Sequence, residues 1–167
     1  HGTTVASNAI LEGKTARTGL ITTAGFRDIL EIRRLRVPRL YDPTWRKPPP
    51  LVPRALRLEV DERLDAWGAV IRPLDPASVD AAVERLRGEG VAAVAVCLLH
   101  SYVNPDHERA VAAALRAALP GVDVSVSSEV LPEMREYERT STTVINAAVM
   151  PTVRRYLRRL GEGLAEA

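Results

Sequence analysis

A chain of 167 residues with 46% hydrophobic side chains is long enough for one domain with its own core, burying about 68–70% of its unfolded surface. The 23 Lys and Arg exceed the 21 Asp and Glu by only two, too weak a surplus to indicate nucleic acid, and no apolar run is long enough to span a bilayer. The single cysteine, Cys97, excludes an internal disulfide and fits a reducing, cytoplasmic setting.

Aromatics make up only 4%, so the core must be built from Val, Leu, Ile and Ala, a composition suited to a parallel α/β sheet. Apolar Val5, Ala6, Ala9 and Ile10 recur at helical spacing from Thr3 to Glu12, and Gly13 stops that helix. Arg17–Thr23 reads as a strand, and a short helix follows from Phe26 to about Ile32. Residues 37–53 hold six prolines, which exclude a regular helix or inner strand and predict an extended, basic arm. Tyr41 and Trp45 are candidates to pin it to the body; an interdomain linker is the alternative. Between Arg27 and Arg57 nine basic residues face three acidic ones, a local +6 that suits docking on a protein surface better than nucleic acid, given so few stacking aromatics.

Ala55–Val60, Glu62–Asp65 and Ala69–Arg72 are short strands, the last two a hairpin turning at Trp67-Gly68. Asp75 caps a helix with Pro76 at its first position and Val79, Val83 and Leu86 on one face. Val91–Leu99 is a continuous apolar run, as in a strand covered on both faces. Asn104 caps another helix, faced by Val111, Ala114, Leu115, Ala118 and Leu119, and Val122–Ser127 alternates as a strand. This alternation predicts right-handed parallel crossovers. A last helix runs from about Pro132 to Leu160, with Pro151 either kinking it or starting a second one.

That helix carries an unusual run, Glu136-Tyr137-Glu138-Arg139-Thr140-Ser141-Thr142-Thr143. Hydroxyl residues compete with helix backbone bonds, so four in a row need a compensating role. One reading is a helix cap; the other is a polar cleft wall in which Arg139 grips an anionic group bidentately. Glu138 is the candidate acid/base or magnesium-water partner, within a carboxylate cluster that otherwise suits solvated surface. His100, at a strand's carboxyl edge, suits either proton transfer or a strand-end hydrogen bond. Cys97 suits the core, and His107 carries no assigned role. No metal-ligand spacing, phosphate-cradling glycine loop or Gly-x-Ser-x-Gly is present.

The segments His1-Gly2-Thr3-Thr4-Val5-Ala6, Gly19–Thr23 with Gly25–Ile32, and Ser127–Glu133 running into Glu136–Thr143 resemble the N-terminal region of the hydantoinase A/5-oxoprolinase family. The resemblance implies an α/β fold with a mixed, largely parallel sheet and flanking helices, part of an actin-like or Hsp70-like ATPase subdomain. It implies residues 1–167 as a single domain of a larger polypeptide. The expected parent opens hydantoins or 5-oxoproline with ATP and Mg2+, alongside a B-type subunit; the alternatives are a ketone carboxylase subunit or a non-catalytic docking module. The family's phosphate-binding motif lies upstream of the matched opening, so this chain alone is not expected to turn over ATP. The motifs carry a cleft role to His1, Thr3, Thr4 and Asn8, and to Glu136, Thr140, Ser141, Thr142 and Asn146, with Glu138 and Arg139 as the candidates for chemistry.

Overall fold

The computed structural model describes residues 2–34 and 41–165, the side chains of Gly2 and Thr3 excepted. Four strands form one sheet: β1 (Thr18–Thr23), β2 (Arg57–Val60), β5 (Ala93–Cys97) and β6 (Asp123–Val126), in the order β2-β1-β5-β6 and parallel throughout. β3 (Arg63–Leu64) and β4 (Val70–Arg72) make the separate antiparallel hairpin. The helices are α1 (Gly2–Leu11), α2 (Ile29–Ile32), α3 (Pro76–Gly88), α4 (Asp106–Ala118), α5 (Ser127–Val130) and α6 (Glu136–Ala165).

The central strands are covered on both faces, which their sequence required: every residue of β1 and β5 is buried. The β2-to-β5 and β5-to-β6 connections advance in one direction across the sheet, so right-handed crossovers place α3 and α4 on one face, where they pack together. The β1-to-β2 connection runs the opposite way and falls on the other face. That face is covered by α6, which packs on β5, β6 and β1 and also meets α1 and α2.

Asp75 caps α3 by accepting from the amides of Ala77 and Ser78, with Pro76 opening the helix. Asn104 Oδ1 accepts from Asp106 N at the start of α4. Pro151 leaves α6 one helix from Glu136 to Ala165. Proline deprives the Ala147 carbonyl of its helical donor; beside it, Ala148 O accepts from Ala16 N, tying the end of the α1 segment to α6.

The described part of the arm, residues 41–53, has no helix or strand. Tyr41 is 95% exposed and does not pin it. Polar bonds to backbone do that work, because each proline removes a donor and leaves carbonyls for side chains: Arg33 donates to Pro48 O, Lys47 to Glu31 O, and Arg57 to the carbonyl of fully buried Val52. Arg33 and Arg34 are thus engaged within the chain, Arg34 with Glu138. Arg36, Pro38 and Arg39 of the basic arm lie outside the described residues.

Candidate functional site at the carboxyl edge of the sheet

The chain leaves β1 toward β2 and leaves β5 toward β6, so the connections diverge outside the carboxyl ends of β1 and β5. In open α/β sheets that divergence opens the crevice in which ligands bind. The crevice here is lined by Thr22, Cys97, Leu98 and Leu99 from the strand ends, Phe26 and Ile29 from the α2 side, and Glu136, Arg139 and Thr140 from the first turns of α6.

Two buried polar networks hold this edge, one on each side of Leu98 and Leu99. In the first, Glu108 is fully buried and accepts from Leu98 N at 2.8 Å, Ser127 Oγ at 2.6 Å and Ser128 N at 2.9 Å. Arg139 Nη1 donates to Leu98 O at 2.9 Å, to Ser127 Oγ at 3.1 Å and to Ser101 Oγ. Ser127 therefore bridges a buried cation to a buried carboxylate, satisfying the condition under which such charges survive away from water. In the second, Thr23 Oγ1 accepts from Leu99 N at 2.9 Å and donates to buried Glu62, whose other oxygen accepts from His107 Nδ1 at 2.8 Å. His107 is the sequence residue without an assigned role, and it joins the start of α4 to the base of the hairpin.

Between the networks, His100 adopts φ +58°, a left-handed conformation uncommon for a residue with a side chain, and its Nδ1 is buried without a partner among the described residues. Backbone strain of this kind concentrates at functional sites. Cys97 Sγ lies 3.1 Å from Thr140 Oγ1, and burial pushes its thiol above the ordinary 9.0, with Arg139 pulling the other way.

Helix α6 sorts the motif residues by direction. Arg139, Thr140 and Thr143 face the sheet and are buried, and Thr143 Oγ1 donates back to Arg139 O at 2.7 Å. Glu136 lines the crevice. Glu138, one step round the helix, turns away to Arg34, whose hydrogen bond holds its carboxyl below the ordinary 4.5. Glu138 and Arg139 are thus neighbours in sequence but do not converge on one point.

Ser141 lines a different cleft of about 190 Å3, between α6 and the arm, with Tyr137, Val144, Pro49 and Pro50. Asn146 Nδ2 donates to Ser125 Oγ at 2.9 Å. Thr142, Thr4 and Asn8 are exposed, and α1 packs on α6, so the two Thr-rich motifs stand on neighbouring helices. The side chains of His1 and Thr3 lie outside the described residues.

Sequence reading missed Glu62, Ser101, Glu108 and Ser127. Glu108 carried a signal: it sits three and seven residues before Val111 and Leu115, on the apolar face of α4.

Residues 1–119 match the sequence model of the hydantoinase/oxoprolinase N-terminal region. The caprolactamase subunit alpha of Pseudomonas jessenii is 43% identical over 96% of this chain and 23% of its own length. 5-Oxoprolinase 1 of Arabidopsis thaliana is 34% identical over 93% of the chain and 14% of its own length. The crystal structure of the ATP-dependent caprolactamase superposes with TM-score 0.88 over 94% of this chain and 23% of that one, at 42% identity. Nucleotide-free acetone carboxylase superposes with TM-score 0.85 over 97% and 24%, at 28% identity. The chain therefore spans about a quarter or less of the length of these relatives.

Proposed function

Because this chain belongs to the hydantoinase/oxoprolinase family, we propose that it is part of a cytoplasmic, ATP-dependent cyclic-amide hydrolase subunit that opens a ring such as a hydantoin, 5-oxoproline or a lactam. The observation that carries this reading is the 43% identity to the caprolactamase subunit alpha over 96% of this chain. ATP, when bound by the longer polypeptide, supplies a phosphoryl group to an unreactive carbonyl oxygen and so makes the carbon electrophilic. The residues of this chain do the positioning. The Arg139–Ser127–Glu108 network holds the backbone of Leu98 in place, and the first turns of α6 present Glu136 and Thr140 to the crevice.

Exposed Thr4, Asn8 and Thr142, on the neighbouring helices α1 and α6, are read as a surface that meets the remainder of the polypeptide and a B-type subunit. The exposed stripe Leu157, Leu160 and Leu164, at helical spacing on α6, offers the remainder of the polypeptide an apolar face. The sheet with its two helix layers is read as a subdomain of an actin-like ATPase. Among the described residues no group of three or more His, Cys, Asp or Glu gathers to hold a metal, and a magnesium ion bound with nucleotide would draw its ligands mainly from phosphates and water.

Ketone carboxylation is the second reading, favoured by the superposition on acetone carboxylase. ADP release by the full-length polypeptide with its partner subunit, measured with 5-oxoproline, hydantoin and caprolactam against acetone and acetophenone with bicarbonate, separates the two. Stimulation by a cyclic amide supports hydrolysis, and stimulation by ketones alone transfers the assignment to carboxylation.

A further inference from the structure

Helix α6 outruns the sheet it covers. Its packed side follows one stripe, Thr140, Val144 and Ala147, each no more than 2% exposed, and the same spacing of three and four residues continues through Pro151 to Arg154 and Arg158. The helix starts at the carboxyl ends of β1 and β5, and Arg154 reaches Asp123, the first residue of β6, so the stripe turns from apolar to cationic as α6 passes the amino edge of the sheet. There the Arg154 and Arg158 side chains are 65% and 71% exposed. With Arg155 they line a cleft of about 190 Å3 against Gly121 and Asp123.

The helix dipole does not account for these arginines. Its pull on cations fades beyond the last turn, and the last turn of α6 holds no basic residue. Arg154 with Arg158, and Arg155 with Arg159, instead stack like charges at i,i+4, which destabilises the helix. Acidic neighbours offset only part of that charge. Buried Asp123 pairs with Arg154, Glu162 stands 3.9 Å from Arg158, and Arg155 has no carboxylate partner among the described residues. The pair with Asp123 shows what the cleft accepts, a carboxylate presented by a protein backbone.

We propose that the arginine side of α6 beyond the sheet docks an acidic segment of the remainder of the polypeptide, whose Asp or Glu carboxylates pair with Arg155 and Arg158. A small anion alone would meet these arginines in open, salt-screened solvent, where such pairs contribute little. A protein segment brings surface that excludes water around the pairs and strengthens them. Another side of the same turns carries the exposed Leu157, Leu160 and Leu164, so a single partner covers charged and apolar sides together. The caprolactamase subunit alpha, of which this chain spans 23%, shows how much polypeptide a relative has to supply that partner. The proposal rests on this chain being part of a longer polypeptide, as read above, and not on which ring is opened.

The test uses the full-length polypeptide with p-benzoylphenylalanine in place of Arg155, photo-cross-linked and read by mass spectrometry. The expected product joins position 155 to a segment of the same polypeptide, outside residues 1–167, that carries Asp or Glu. A cross-link to a segment without acidic residues, a cross-link to another subunit, or none at all overturns the proposal. Chymotrypsin gives a second readout, because it cuts after Tyr156, which docking would shield. Arg155→Glu with Arg158→Glu should speed that cut about 10-fold, and reversing the cross-linked acid to Lys should restore protection. Arg116→Glu, at an exposed position on α4, should leave the rate unchanged. Equal cutting of the unaltered polypeptide and the double variant overturns the docking. Should the double variant fail to fold, the cross-link decides. A polypeptide that gives the cross-link but opens no ring refutes the function proposed above and leaves the docking intact; ring opening without the cross-link does the reverse.

Discussion

Glu108→Ala is the substitution that most severely tests the buried edge. It strips acceptors from Leu98 N, Ser128 N and Ser127 Oγ together, in a site with no exposure. Each unmatched buried donor costs about 1–3 kcal/mol, and the buried Arg139 charge also loses the carboxylate that Ser127 links to it, a loss bounded by the about 3–5 kcal/mol of a broken buried ion pair. Because these penalties describe the same lost contacts, they overlap, and the expected loss is about 4 kcal/mol. Glu108→Gln keeps the shape but sets an amide donor against a donor, and should lose about 2 kcal/mol. Urea unfolding followed by circular dichroism reads both, with Glu84→Ala as control, since that side chain is 64% exposed and its pair with Arg87 is worth about 0–1 kcal/mol. A Glu108→Ala loss within about 1 kcal/mol of the control would refute the claim that the carboxylate organises this edge.

Other consequences are equally open to measurement. A Cβ on Gly19 would stand 2.4 Å from Leu86 Cδ2 in the packed core, so Gly19→Ala should cost about 1–3 kcal/mol of unfolding free energy. Cys97 should resist maleimide in the folded chain and react only on unfolding. With its folded pKa raised, its contribution to stability is intact below 9.0 and lost as pH rises beyond it, so Cys97→Ala should flatten the alkaline fall in urea midpoint. Asp28, held low mainly by its hydrogen bond from Arg54, and Glu138, held low by Arg34, contribute in the opposite sense. Their stabilisation is present above 3.8 and 4.5 and is lost as pH falls through the depressed folded values, so Arg54→Ala and Arg34→Ala should shrink the acid dependence of the urea midpoint below those values.

Much of the architecture was legible because local signals agreed. The apolar run through β5, the proline-opened, Asp-capped α3 and the Trp67-Gly68 hairpin turn each follow from periodicity and turn chemistry alone. The hydroxyl run was marked in the sequence as needing partners; Thr140 meets Cys97 Sγ, whereas Thr143 bonds back to Arg139 O within the helix itself. What the sequence did not reveal is which partners. Glu62 follows a strand with no periodic pattern to mark it as buried, Ser101 lies in a turn, and Ser127 opens the short helix α5, places where serine is unremarkable. The arm was anticipated as extended with Tyr41 and Trp45 as candidate anchors; Trp45 is half-buried but Tyr41 is exposed, because nothing in a sequence distinguishes an exposed aromatic from a docked one. The opposed directions of Glu138 and Arg139 follow from the 3.6-residue period once the buried face of α6 is known.

The central claim is ring opening driven by ATP, and its most direct test is product identity in the full-length polypeptide together with the B-type subunit proposed for it. Supplied with ATP and caprolactam, 5-oxoproline or a hydantoin, it should release the corresponding ring-opened amino or carbamoyl acid in step with ADP, as read by mass spectrometry. ADP formation without any ring-opened product, or a carboxylated ketone labelled from 13C-bicarbonate in its place, would contradict the account.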